Sequence, residues 1–282
     1  MELKKATSYL NIAAFLAKEN CDPSKKCGYI GENLNEIEEV LVEDFKLDEI
    51  IVAIEGKQIV GMLAFDHEDG EAEVWGPVVT SADPIQTANK LWSSHPFTRK
   101  KWNFKFFYHV DNHEMRNFVE NLNATVNGYH TVLQCNKLKS TSNLNYEEID
   151  INNKKMIESF KSLHDTLFPN TYYPAEIILN RLTDEHRLLV RTNDVNNVVG
   201  YAYLEGSKQF KEGSIEFIGV DSAYRKQGVG KQLLQQSMKL LMNAMEIPSL
   251  YLTVNDENIG AIRLYESVGF RQVNNFVHYE LG

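Results

Sequence analysis

Val229, Leu233, Leu234, Ser237, Leu240, Leu241 and Ala244 recur at the 3.6-residue period of a helix and share one of its faces. That face is read as core. Before this helix the pattern is strand-like. "EIIVAIEGKQIVGMLAFDHEDGEAEVWGPVV" and "RLLVRTNDVNNVVGYAYLEGSKQFKEGSIEFIGV" both read as strand, turn, strand, turn, strand. Further along each half comes a second matching pair. "KFFYHVDNHEMRNFVENLNATVNGYHTVLQC" (Lys105 to Cys135) and "SLYLTVNDENIGAIRLYESVGFRQVNNFVHYEL" (Ser249 to Leu281) each give a β-rich run, a turn, an amphipathic helix, a turn and a final strand. The order is the same in both halves, so an internal duplication with a period of about 140 residues is inferred, longer than solenoid repeats. The polar stretch Asn136–Glu148 is the expected boundary, giving domains 1–140 and 145–282. Each is predicted as an α/β (α+β) fold, a mixed, mostly antiparallel twisted sheet flanked by helices. The strand Ser214–Val220 should lie beside the one starting at Leu250, with the Val229–Ala244 helix crossing between them.

Composition narrows the classes. With 43% hydrophobic and 24% charged residues, the chain is of the soluble globular kind, and no run approaches the roughly 20 apolar residues of a membrane span. Its start reads as an amphipathic helix rather than a signal peptide. A net charge of −10 without a dense basic stripe argues against nucleic acid and permits a cationic partner. Three cysteines, Cys21, Cys27 and Cys135, without a secretory signal point to the reducing cytoplasm. They lack zinc-site spacing, and "HVDNH" (His109 to His113) is not an HExxH pattern, so no metal is expected.

The chemistry gathers at "RKQGVGK", Arg225 to Lys231. Glycine inside a helix costs roughly 0.5–1 kcal/mol relative to alanine, yet two stand where this helix begins. A helix N-terminus offers unpaired N–H groups and partial positive charge, bare backbone admits close approach, and Arg225, Lys226 and Lys231 add formal charge. Together they form an anion cradle suited to a pyrophosphate. A tight turn is the plainer reading. The dinucleotide and P-loop patterns both fail, the first because Leu233 stands at the third glycine position.

The run V-x-x-x-x-R-x-x-G-x-G, Val220 to Gly230, resembles the coenzyme A-binding motif of the GNAT superfamily of N-acetyltransferases. Asn258, Ala261, Tyr265, Gly269 and Phe270 match that superfamily's N-x-x-A-x-x-x-Y-x-x-x-G-F run. The resemblance covers about Asn145 to Gly282 and implies two tandem GNAT-like domains, the first degenerate. It implies acetyl-CoA as co-substrate, with the turn Arg225, Lys226, Gln227, Gly228, Val229, Gly230 and Lys231 on the pyrophosphate. Ile218, Gly219 and Val220 would pair with the pantetheine arm, and Asn258 would contact it. As a helix N-cap, Asn258 has a second reading. Tyr265 matches the thiolate-facing tyrosine, with core packing as its alternative. Glu216 is the carboxylate best placed as a base, on the strand face shared with Ser214 and Ile218. Many relatives carry the basic glutamate where this chain has Ser214, so Glu216 reads either as a base acting through water or as a solvent-facing strand residue. Phe168, Tyr172 and Tyr173 are candidates for an aromatic wall.

The first half lacks this equipment: no glycine occurs between Val78 and Asn127, Pro84 stands near the place of Arg225, and Val119 stands for Tyr265. Of the set, Asn112 alone survives. The expected protein is a cytoplasmic monomer or homodimer that acetylates a primary amine by direct attack in a ternary complex, with neither nucleic acid nor membrane as partner. A non-catalytic acyl-CoA-binding regulatory module is the alternative. With all three cysteines in the first half, a cysteine acyl-enzyme is not expected.

Overall fold

The computed structural model describes residues 1–137, 147–169 and 171–282, so most of the expected Asn136–Glu148 boundary lies outside the described residues. In chain order the elements are β1 (Glu2–Lys5), α1 (Tyr9–Asn20), α2 (Leu34–Asp44), β2 (Ile51–Glu55), β3 (Gln58–Glu68), β4 (Glu71–Val79), α3 (Pro84–Ser94), β5 (Asn103–His109), α4 (His113–Asn121) and β6 (Thr125–Cys135). Then come β7 (Glu147–Glu148), α5 (Lys154–Leu167), α6 (Ala175–Asn180), β8 (His186–Thr192), β9 (Val198–Ser207), β10 (Glu212–Val220), α7 (Val229–Lys239), β11 (Ser249–Asn255), α8 (Ile259–Val268) and β12 (Arg271–Leu281). Among the described residues, no helix is long and apolar enough to cross a membrane.

The compact units are Met1–His130 with Asn274–Gly282, and Thr131–Val273. This departs from a cut at 140–145. The reason lies in β12, whose last six residues, Phe276–Leu281, pair antiparallel with His109–Phe104 of β5. Val277 and Tyr279 are buried in the first unit's core, so the end of the chain completes that unit. Cys135 consequently belongs to the second unit; it is buried there, its thiol donating to the Lys137 carbonyl, away from the cleft described below.

In the second unit β7, β8, β9 and β10 run antiparallel in sequence, and β10 then pairs in parallel with β11. The helix between these last two strands is α7, as its period predicted. Leu233, Leu234, Ser237, Leu240 and Leu241 are buried, with Leu233 and Leu234 against Leu250 and Leu252 of β11 in one cluster. Ala244 is a correction. The helix widens into a π turn over Leu240–Ala244, which rotates the face so that Ala244 is exposed and Met245 points inward. On the other side of the sheet, Met156, Phe160 and Leu163 of α5 pack on Tyr201, Tyr203 and Phe217.

Candidate active site

Strands β10 and β11 are bonded only where Glu212–Ser214 meet Ser249–Tyr251. Beyond Ser214 they part. The edge of Ile218–Val220 that would face β11 is therefore open, while its other edge pairs with Tyr201 and its neighbours on β9. A cleft of about 660 Å³ opens there, floored by Ile218, Gly219 and Val220 and walled by the turn before α7 and the start of α8.

The turn is shaped by two left-handed residues, Lys226 (φ +60°) and Gly228 (φ +85°). Gly228 caps α7 with no side chain, and a Cβ built there would meet nothing within 4 Å. Backbone conformation, rather than crowding by the protein, thus calls for glycine. Gln232 N–H to the Gly228 carbonyl (3.0 Å) is the first bond of the helix, so the earlier first-turn N–H groups have no intrahelical partner. At Gly230 a Cβ would make only ordinary contacts of 3.5 Å with Leu264 and Val220, so the protein itself has room for one. The Arg225 Nε donates to the Val220 carbonyl (2.9 Å), which ties turn to strand and leaves the guanidinium's outer nitrogens available. Gln227 is the exception among the expected residues. Its amide donates back to the Ala223 carbonyl (3.0 Å), and its side chain does not line the cleft. The others, including Lys226, Val229, Lys231 and Asn258, do.

Gly228→Val is expected to weaken coenzyme A binding at least about tenfold, about 1.4 kcal/mol, because a β-branched residue at positive φ deforms the turn and fills the space above it. Titration calorimetry, with circular dichroism to confirm the fold, measures this; unchanged affinity would remove the cradle reading.

Asn258 caps α8, its side-chain oxygen accepting from the Ala261 N–H (3.2 Å), and it also lines the cleft. One helical turn after Ala261 comes Tyr265, 8% exposed, with its ring edge-on to Phe270 at 6.0 Å. Burial pushes its phenol up to about 12. Among the described residues its hydroxyl has no hydrogen-bond partner, and no fully buried side-chain oxygen or nitrogen lacks one, so the hydroxyl is not wholly sealed off, although Tyr265 is not among the residues lining the cleft. Three lining residues were missed by sequence reasoning. Leu264 lies three residues after Ala261, a spacing that would have found it. Gly260 has no such signal, and Leu167 comes from the distant end of α5.

Glu216 is placed differently from the expected strand face. Ile215 pairs with Leu204 and Phe217 with the next residue, Tyr203, leaving Glu216 as the extra residue of a β-bulge. The bulge reverses the alternation: Ile215 packs in the α7 cluster, Phe217 in the α5 cluster. Glu216 goes with Phe217 rather than with Ile218. The Tyr172 hydroxyl donates to its Oε2 (2.5 Å), and the Tyr172 ring lies 5.0 Å from Phe217 and 4.7 Å from Tyr173. Glu216 thus stands just past the point where β10 and β11 separate, with aromatic residues around it. Phe168 lines the cleft itself. The Arg181 guanidinium sits over the Tyr173 ring at 4.5 Å.

The first unit repeats the splayed strands and fills them. Its β4 and β5 pair in parallel only over Glu71–Glu73 and Asn103–Lys105. Past that point the Lys26–Gly28 segment lies along β5. The Gly28 N–H donates to the Phe107 carbonyl (2.6 Å), and the His109 N–H to the Lys26 carbonyl (3.1 Å). A Cβ at Gly28 would sit 2.2 Å from the Phe107 ring, so glycine is needed for this approach. The Cys27 thiol reaches the Val74 carbonyl of β4 (3.7 Å), which bridges the gap. Asn112, counterpart of Asn258, caps α4 through Met115 N–H (3.2 Å) and donates its amide to the Lys26 carbonyl (3.3 Å). The helix after β4 is closed too. Pro84 at its start has no N–H, and the Asp83 carboxylate accepts from Gln86 N–H (3.0 Å).

Splayed parallel strands, a glycine turn and a capped helix beyond define the class, an α/β protein of acetyltransferase fold. Residues 153–270 match the family model described as the acetyltransferase (GNAT) family. The N-alpha-acetyltransferase of Sulfurisphaera tokodaii is 39% identical over 69 residues, which is 24% of this chain and 41% of that protein. N-alpha-acetyltransferase RimI of Mycobacterium tuberculosis is 31% identical over 103 residues, 36% of this chain and 63% of the relative. The chain thus spans less than two thirds of the length of these curated relatives. A tandem GNAT protein from the clavulanic acid biosynthesis pathway has the same fold, with a TM-score of 0.68 over 99% of this chain and 98% of that one at 12% identity. The tandem architecture expected from the internal repeat is the one found.

Proposed function

We propose that the second unit transfers acetyl from acetyl-CoA to a primary amine by direct attack in a ternary complex. The observation that carries this is the open cleft between β10 and β11, with the uncapped Gly228 turn at one end and the Tyr265 helix beside it. When bound, acetyl-CoA supplies the acetyl thioester. First-turn N–H groups of α7, with Lys226 and Lys231, hold the pyrophosphate. The free edge of Ile218–Val220 and the Asn258 amide hold the arm, much as Asn112 holds the Lys26 carbonyl in the first unit. Tyr265 donates a hydrogen bond to the sulfur as it gains charge.

The amine must lose a proton to attack. A lysine-like amine, pKa near 10.4, needs roughly 4.6 kcal/mol for this at pH 7, whereas an α-amine at about 7.7–8.0 needs far less. Glu216 at the bulge takes that proton through water. The names of the relatives, N-alpha-acetyltransferases, favour an α-amine of a peptide, and the net charge of −10 favours a cationic acceptor. A screen of amines and N-terminal peptides with acetyl-CoA, read by free thiol release, tests the reading. Tight coenzyme binding with no turnover of any amine would leave only a binding module.

The first unit is read as lacking a coenzyme site, since Lys26–Gly28 stands in its slot and Pro84 and Asp83 close its helix. Calorimetry on the whole chain is expected to give one coenzyme A per chain; a stoichiometry of two would refute this.

A further inference from the structure

His164, in the last turn of α5, is fully buried, and the mechanism above gives it no task. Both ring nitrogens are engaged. Nε2 lies 2.9 Å from the Tyr173 carbonyl oxygen and Nδ1 2.6 Å from the Tyr201 hydroxyl. A carbonyl only accepts, so Nε2 carries the proton, and Tyr201 donates to the lone pair of Nδ1. The tautomer and the ring plane are therefore both set. Phe160, Phe168 and Phe217 enclose the ring at centroid distances of 5.8, 5.6 and 5.0 Å. Desolvation holds its pKa below the ordinary value, which favours the neutral form this arrangement uses.

The carbonyl that His164 holds belongs to the connection between α5 and α6, next to Tyr172. Tyr172 is 62% exposed, and keeping an exposed side chain in one place costs entropy that a fixed backbone reduces. We propose that His164 is a positioning residue for the amine acceptor: by fixing the Tyr173 carbonyl it sets Tyr172, and through Tyr172 the carboxylate of Glu216. The inference rests on the acetyltransferase reading of the cleft. It separates two duties within one helix end: Leu167 faces the coenzyme, while His164 serves the amine.

Two full-chain variants test it. His164→Phe keeps a ring but removes the donor to Tyr173. His164→Gln restores an N–H near the place of Nε2. With an amine turned over in the screen, His164→Phe is expected to raise its KM about tenfold and change the acetyl-CoA KM by less than about twofold, and His164→Gln to recover most of the loss. Hydrogen exchange over 168–174 should speed up in His164→Phe alone, with exchange over 226–232 unchanged. Equal kinetics of the two variants, a parallel rise in both KM values, or unchanged exchange over 168–174 overturns the proposal. An inactive wild-type chain overturns the acetyltransferase reading instead. The exchange arm then still decides whether His164 pins the segment.

Discussion

Glu216→Gln is expected to slow acetylation of a lysine-like amine on the order of 100-fold at pH 7, and by much less near pH 10. The amide keeps the shape of the carboxylate, and its oxygen still accepts from Tyr172, so geometry is preserved. It cannot take a proton, so bulk solvent must supply the neutral amine. That fraction is about one in 2,500 at pH 7 and about a third at pH 10 for a pKa of 10.4. The deficit of the variant should therefore shrink as pH rises, because the task proposed for Glu216 would increasingly be done by the medium. For an α-amine the same recovery falls near pH 8. A rate–pH profile with a constant deficit from pH 7 to 10 would remove Glu216 as the base.

This prediction depends on a position that the residue pattern described only in part. Strict alternation along β10 put Glu216 on the face of Ser214 and Ile218. The bulge, an extra residue opposite the Leu204–Tyr203 step, turned it toward Phe217 and Tyr172 instead. Alternation cannot announce a bulge, since the inserted residue is set by the pairing partner and not by its own strand. The glycine turn was legible because its determinants are local: Gly228 needs a left-handed backbone, and a helix start leaves its N–H groups free. The contributions of Leu167 and of the Tyr172–Glu216 bond were not, since they join residues far apart in the chain. The domain limits failed for the same reason. Both halves carry a final strand in the same sequence place, and nothing in the composition of Arg271–Leu281 tells which sheet it joins.

Tyr265→Phe is expected to lower kcat on the order of 10–100-fold while leaving acetyl-CoA affinity within about twofold. The phenol, raised to about 12 by burial, stands about 3.5 units above a model thiol at 8.5. Handing its proton fully to the departing sulfur would be uphill by roughly 5 kcal/mol. On the proposed reading Tyr265 would therefore keep its proton and donate a hydrogen bond that strengthens as the sulfur becomes negative. An interaction gained mainly in the transition state appears in kcat and not in ground-state affinity. Because the ring already packs against Phe270, phenylalanine retains the contact and removes only the hydroxyl. Stopped-flow turnover with calorimetric affinity checks both numbers. A weakened coenzyme complex with kcat intact would make Tyr265 a binding or packing residue.

The place of β12 in the first unit bears on how the chain comes into being. A ribosome makes the first unit's helices and five of its strands early, but the strand that bonds to Phe104–His109 comes last. Domains ordinarily mature from the N-terminus as they emerge. Here the first unit waits for the second, with the edge of β5 unsatisfied until Phe276–Leu281 arrives. The two halves, although they read as a duplicated pair, are one folding transaction. Whatever selection acts on the second unit also acts on the last step in completing the first.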